Sequence, residues 1–269
     1  MALVLKKLYK GYFFLFDELS DPRAREYVLG SSPIVPIIFI ASYLYFIYVA
    51  GPKFMANRKP FRLKSVLIIY NLSQVIANLI LLYVAMQDVF RMNLRCNLVD
   101  YSQSPEAKRV LGLAHNFHLL KIFDLTDTVF MVLKKNTRQI TFLHVYHHCG
   151  MILATFITLK FFPGGEIVWT GVFNVIVHSI MYLYYLLASI DSQWKKNLLF
   201  KKFLTQIQLI QFVANIVMYG RLFFISCPFP SIASYLYVPQ NIFMLALFGD
   251  FYIKTYILSN SGRKEVTVN

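Results

Sequence analysis

Apolar residues run through this chain in seven stretches of about 20 residues, near 33–50, 65–86, 112–133, 140–159, 166–187, 203–225 and 234–257. A run of that length matches the roughly 30 Å hydrocarbon core of a bilayer. Backbone polar groups find no water there, so each stretch is expected to be a helix. Residues 1–30 are charged, and their apolar runs are too short for a cleavable signal peptide. No internal repeat, low-complexity tract or second domain interrupts the pattern. It predicts a single all-α transmembrane domain over 1–269 with seven crossings.

Composition supports this reading. Hydrophobic residues make up 57% of the chain, more than a water-facing exterior accommodates. The formal net charge of +14 would suggest nucleic acid on a soluble protein. Here most Lys and Arg lie between the apolar stretches, where they orient the chain and meet lipid headgroups. No basic, aromatic-interleaved module stands outside the spans, so nucleic acid is not an expected partner. Lys53, Arg58, Lys59, Arg62 and Lys64 fall in one loop, Lys134, Lys135 and Arg138 in another, and Lys195, Lys196, Lys201 and Lys202 in a third. The loop after the fourth span has only Lys160, and the one after the sixth has neither Lys nor Arg. The positive-inside rule then places the N-terminus in the lumen and the C-terminus in the cytosol, although residues 1–30 and 87–111 are also fairly basic. Cys96 and Cys227 both fall on the lumenal side, where disulfides form. They either pair or remain two free thiols, because sequence does not show proximity. Cys149 lies inside the fourth span.

Ionisable groups inside a span are costly and usually face a cavity. The first two spans read as plain, whereas the later ones do not. His144, His147, His148 and Met151 fall at i, i+3, i+4 and i+7, on one helical face. Asn174, His178, Met181 and Tyr185 share a face of the fifth span, with Tyr182 and Tyr184 beside them. The third span carries His115, His118, Lys121, Asp124, Asp127 and Thr128, with Lys121 placed to neutralise Asp124 one turn away. Gln208, Gln211 and Asn215 share a face of the sixth, and Asn241, Asp250, Tyr252 and Lys254 mark the seventh. At about 1.5 Å per residue, the histidine, carboxylate and glutamine groups all lie roughly 6–14 Å from the cytosolic side. A polar chamber open to the cytosol is expected, with an apolar remainder toward the lumen.

Each feature also has a plainer explanation. His115 and His118 read first as helix-packing donors, Lys121 with Asp124 as a structural ion pair, Gln208 and Gln211 as interhelical glue, and the run 182–185 as core. Three imidazoles on one face are different, because Ser or Ala would meet a packing need more cheaply. Metal ligation is one use for them, but six histidines in total are too few for the separate boxes of membrane di-iron enzymes. Acyl transfer is the other use. Imidazole is a nucleophile near neutral pH, and a second imidazole can shuttle protons. Cys149 as the nucleophile would need a thiolate stabilised by His148, which projects about 100° away on the helix. A proton-coupled transporter would use buried histidines too, but would show Gly- or Pro-interrupted helices, and only Pro239 stands mid-helix in the later spans.

Four motifs taken together resemble the very-long-chain fatty-acid elongases, the 3-oxoacyl-CoA synthases. Lys121-Ile122-Phe123-Asp124-Leu125-Thr126-Asp127-Thr128 is similar to that family's Lys-x-x-Glu-x-x-Asp-Thr, with Asp124 where Glu is usual. His144 to His148 match its His-x-x-His-His box. Asn174 to His178 followed by Met181-Tyr182-Leu183-Tyr184-Tyr185 resembles the next motif, and Thr205 to Gln211 matches Thr-x-x-Gln-x-x-Gln. The order is that of the family, and the seven-span layout extends the likeness over nearly the whole chain. Asp250 stands where Asn is common, adding a charge, and the tail Arg263 to Asn269 lacks a terminal dilysine retrieval signal.

The resemblance implies condensation of a long-chain acyl-CoA with malonyl-CoA to a 3-oxoacyl-CoA, CO2 and CoA, in the endoplasmic-reticulum membrane. It implies six helices forming a barrel around an acyl tunnel, with a seventh outside, and no metal or redox cofactor. It also brings in the reductases and dehydratase of the elongation cycle as partners, and self-association as an open question. His147 is expected as an acyl-carrying nucleophile with His178 as its partner, or else as a general base without a covalent stage. His144 and His148 would orient it or handle protons, and Asp127 would stabilise an imidazolium. Lys121, Asp124, Asn174, Tyr182, Gln208 and Gln211 are the expected substrate-binding residues, the two glutamines as donors to a developing oxyanion.

Overall fold

The computed structural model describes residues 1–93 and 95–258, and among them it is helical with no strand. The tail that lacks a dilysine signal lies outside the described residues. The principal helices are α1 (Ala2–Phe13), α2 (Ile34–Met55), α3 (Lys64–Val89), α4 (Pro105–Asp124), α5 (Thr126–Leu133), α6 (Phe142–Phe161), α7 (Ile167–Ile190), α8 (Leu198–Phe223) and α9 (Ser231–Leu258). Six of these, α2, α3, α6, α7, α8 and α9, are long and apolar enough to cross a membrane. Each falls on an expected stretch to within a few residues, and α9 continues through Pro239.

The expected crossing at 112–133 differs: it is divided between α4 and α5. At the division, Leu125 N bonds Ile122 O at 3.1 Å and Thr128 N bonds Leu125 O at 3.2 Å, so the backbone tightens to an i→i+3 turn. Lys121, Asp124 and Asp127 flank that turn and lower its hydropathy. Local sequence sets the helix starts. Ser104 Oγ accepts from Ala107 N ahead of Pro105, Thr141 Oγ1 from His144 N, and Asn197 Oδ1 from Phe200 N. Each hydroxyl or amide occupies the N-cap and satisfies a first-turn N–H.

The chain divides into two compact units, residues 1–63 with 97–167 and residues 64–96 with 168–269. In the first, Tyr43, Ile47 and Met55 of α2, Leu125, Val132 of α5, and Val145 and Ile152 of α6 form one core. Gly51 permits the approach of α2 to α5, since a Cβ there would stand 2.7 Å from Val132 Cγ1. Beyond the C-terminal end of α6 this unit buries charge. Arg23 grips Asp21 through Nε at 3.0 Å and Nη2 at 2.6 Å, and donates onward to the carbonyls of Asp100 and Ser102. Asp21 N bonds Lys160 O at 2.8 Å, and Lys160 Nζ bonds Ser31 O at 3.2 Å. Glu166 Oε1 accepts from Asn97 N at 2.8 Å and Asn97 Nδ2 at 3.0 Å. The turn leading into Glu166 needs Gly165, whose φ is +60° and whose Cβ would stand 2.8 Å from Asn97 O. Segments 20–31, 97–104 and 160–166 are thus tied together. The backbone N–H and hydroxyl of Ser102 hold the Asp100 carboxyl below the usual carboxylate range, so this loop keeps its charge at neutral pH and loses it only in acid.

In the second unit α8 and α9 pack along their length, with Phe212 on Phe248 and Tyr219 stacked on Tyr237 at 5.1 Å each. A buried network crosses three helices there. Asn215 Nδ2 donates to Asn241 Oδ1 at 3.1 Å, Thr170 Oγ1 to Asn215 Oδ1 at 3.3 Å, and Thr170 Oγ1 meets Tyr219 Oη at 2.7 Å. Thr170 lies one turn into α7, at the opposite end from Tyr182, so the remainder expected to be apolar contains a polar network. In hydrocarbon such groups are kept by bonding to one another. Cys96 and Cys227 form a disulfide with a Cα–Cα distance of 5.6 Å. Asp250 pairs with Lys254 at 2.8 Å on the exposed face of α9.

Candidate active site

The histidine box occupies the first two turns of α6. The Thr141 cap fixes where the helix begins, and the 3.6-residue period brings three imidazoles together. The rings of His144 and His148 are 4.3 Å apart and those of His147 and His148 are 5.6 Å apart, nearly perpendicular. Thr128 Oγ1 of α5 meets His144 Nε2 at 2.8 Å and Tyr43 Oη of α2 at 2.9 Å. A chain of hydrogen bonds therefore runs Tyr43–Thr128–His144 across three helices. It sets the rotation of the His144 ring and occupies Nε2. The Tyr43 ring also lies 6.4 Å from that of His148.

Lys121 Nζ bonds Asp124 Oδ2 at 2.9 Å, and both side chains are buried. Lys121 also sits 5.0 Å over the Phe117 ring. The shorter carboxylate at 124 therefore still reaches its lysine. Asp127 lies in the first turn of α5, one residue before Thr128. His118 Nδ1 bonds Thr155 Oγ1 at 2.7 Å and His115 stacks on Tyr27 at 4.3 Å, which are packing contacts between neighbouring segments. Cys149 packs against the apolar core of this unit.

The second unit carries Asn174, His178, Tyr182, Gln208 and Gln211. His178 and Tyr182 have ring centroids 5.8 Å apart, and Tyr70 of α3 meets Tyr182 edge-on at 6.0 Å. Gln74 Nε2 donates to Tyr70 Oη at 3.0 Å. Gln74, Tyr70, Tyr182 and His178 form one buried series from α3 to α7. Asn174 and Asn78 are nearly inaccessible, and the Oδ1 of each is without a hydrogen-bond partner among the described residues. Gln208 Nε2 lies 4.0 Å from Met181 Sδ. Tyr184 is turned to Phe200, stacked at 5.2 Å, and belongs to the core, as the plainer reading of that aromatic run expects. Among the described residues no group of three or more His, Cys, Asp and Glu side chains is arranged to hold a metal ion.

Tyr43, Thr128, Tyr70 and Gln74 extend the expected set. Thr128 was visible as the last residue of its motif, and Asn71, Gln74 and Asn78 recur at i, i+3 and i+7 in a stretch that otherwise reads as plain. Three outcomes follow from these bonds. Thr128→Val removes the hydroxyl shared by Tyr43 and His144, and is expected to lower stability by about 1–3 kcal/mol in thermal unfolding. Tyr43→Phe, which keeps the bond to His144, is expected to cost less. Tyr70→Phe takes from Gln74 its bond to the phenol and is expected to cost about 1 kcal/mol by the same measurement, with unchanged stability ruling out a contribution from that bond.

The family model described as ELO, the GNS1/SUR4 family, matches residues 28–264. Very long chain fatty acid elongase 7 of Drosophila melanogaster is 39% identical over 267 residues, covering 98% of this chain and 81% of its own length. Very long chain fatty acid elongase 1 of Homo sapiens is 37% identical over 242 residues, covering 88% of this chain and 86% of its own. A very long chain fatty acid elongase of Aedes aegypti is 36% identical over 259 residues, covering 95% of this chain and 72% of its own. The motif order, the apolar helices and these matches agree: the chain belongs to the ELO (GNS1/SUR4) family of very long chain fatty acid elongases.

Proposed function

We propose that this enzyme of fatty acid elongation catalyses the condensing step, joining a long-chain acyl-CoA to malonyl-CoA through an acyl-histidine on His147. The observation that supports it most is the packed imidazole trio at the start of α6, with His144 anchored through Thr128 and Tyr43. In the first half-reaction an imidazole nitrogen of His147 attacks the thioester carbonyl. The tetrahedral adduct expels CoA thiolate, and the proton lost from the imidazole reaches that thiolate by way of His144 or His148. In the second, malonyl-CoA loses CO2 to give an enolate. Its carbon attacks the acyl-histidine carbonyl, and the imidazole leaves with the electron pair and takes up one proton from solvent by way of His144 or His148, which restores His147. The balance is one 3-oxoacyl-CoA, one CO2 and one CoA per turnover, and decarboxylation drives the carbon–carbon bond without a metal or redox cofactor.

His178, Gln208 and Gln211 are proposed as further reacting and oxyanion-binding groups, Asp127 as the stabiliser of an imidazolium, and Lys121, Asp124, Asn174 and Tyr182 as substrate-binding residues. The same proposal has α4 and α5 as the seventh crossing, six helices enclosing an acyl tunnel, and a place in the endoplasmic-reticulum membrane with the N-terminus lumenal. It also has the reductases and dehydratase of the cycle as partners. The test is direct: the purified protein in detergent, given acyl-CoA and malonyl-CoA, is expected to release CO2 and CoA in equal amounts with 3-oxoacyl-CoA. Folded protein that forms no carbon–carbon bond under those conditions would overturn the condensing role.

A further inference from the structure

Helix α1 lies outside the core of its unit. Leu5, Leu8, Tyr9, Tyr12, Phe13 and Phe16 recur at i, i+3, i+4, i+7, i+8 and i+11, one face of a helix continued by the wider turn of Phe14–Glu18. That face is not covered: Leu8 and Tyr9 are each 65% exposed and Leu5 61%. Lys7 and Lys10 occupy the opposite sector with Leu3 and Phe14 between them, and Lys6 lies at the edge of the stripe beside Phe13. A helix of soluble type would bury such a stripe against its own unit.

The place of the helix in its unit narrows what covers it. Phe16 packs on Phe161, the last residue of α6, with centroids 5.9 Å apart, and Asp21 N bonds Lys160 O. The stripe therefore leads into the level at which a membrane-crossing helix ends. Its aromatic members, Tyr9, Tyr12 and Phe13, belong to the residue types that gather at the boundary between headgroups and acyl chains. Lys7 and Lys10 opposite the stripe and Lys6 at its edge complement anionic phospholipid, and their long stems let the ammonium groups reach the headgroups.

We propose that α1 is an interfacial anchor. It lies in the surface of the bilayer at the end of its unit where α6 finishes, with the aromatic and leucine stripe among the acyl chains and Lys6, Lys7 and Lys10 at anionic headgroups. The partner is the lipid surface rather than a second copy of the chain or another protein.

The full-length protein with Cys149→Ser, which keeps the Cys96–Cys227 disulfide, is placed in lipid nanodiscs with a single nitroxide at Leu8→Cys or Lys7→Cys. Collision with oxygen, which concentrates in lipid, is compared with collision with a water-soluble nickel chelate. At position 8 oxygen is expected to dominate, at a depth of about 5–10 Å below the headgroups, and at position 7 the chelate. Discs containing phosphatidylserine are expected to exclude the chelate from position 8 more strongly than neutral discs. Lys6→Gln, Lys7→Gln and Lys10→Gln together are expected to abolish that difference. Equal chelate access at both positions would mean a helix free in water. Shielding of position 8 from both reagents, with dipolar broadening between labels, would mean a second copy. Shielding without broadening would mean another segment of protein, and indifference to lipid charge would remove the lysines from the account. Any of these four results overturns the proposal.

Discussion

His147→Ala is expected to lower condensation by on the order of 10³-fold or more, because removing a covalent nucleophile takes away the route and not merely one contact. The decisive arm uses acyl-CoA alone. The covalent route releases one CoA and leaves an acyl mass on the peptide containing residues 144–148, and both signals disappear in His147→Ala. His115→Ala, which loses a ring contact with Tyr27 and a side-chain hydrogen bond with Asn116, is expected to keep the chemistry nearly intact. Wild-type enzyme that condenses normally yet releases no CoA until malonyl-CoA is added would eliminate the acyl-histidine and leave His147 as a general base. Thermal unfolding of each variant separates lost chemistry from lost fold.

Breaking the disulfide is expected to have the largest effect on stability. Cys96 and Cys227 are 131 residues apart in sequence. Closing a ring of that size in a free chain contributes about 5 kcal/mol in the chain-entropy model. Spanning helices already confine the ends of this ring in the denatured state, so a loss of about 2–4 kcal/mol is expected for Cys96→Ser. The Cys96→Ser and Cys227→Ser double variant should melt with the single variants, since either change opens the same ring. Reductant should lower the unfolding temperature of the parent protein and leave that of the variants unchanged. A parent melting temperature indifferent to reductant would refute the contribution.

The positions of the crossing helices were legible because lipid imposes a length and an apolar composition at once. The division near Leu125 was not, since it depends on two backbone i→i+3 bonds that no side-chain pattern announces. The face shared by His144, His147 and His148 was legible from period alone, but the hydroxyl that meets His144 was not. Thr128 and Tyr43 lie 16 and 85 residues from their partners, and no local pattern records such pairings. Gln74 and Asn78 were obscured differently. They stand in a stretch whose average is apolar, and only their spacing separates a buried polar stripe from isolated tolerated amides. Asn215 shows the converse: it shares a face with Gln211, but its amide is committed to Asn241.

The ties among segments 20–31, 97–104 and 160–166 set an order of events during synthesis. Arg23 and Asp21 can find each other at once, but the carbonyls of Asp100 and Ser102 and the backbone of Lys160 emerge much later. At about 5–20 residues per second, the N-terminal segment waits roughly 7–30 s for its last partner. The part of the chain made first is therefore among the last to close. Until residue 160 has been made and has reached this end of the unit, its ion pair stands in water, open to chaperones and proteases.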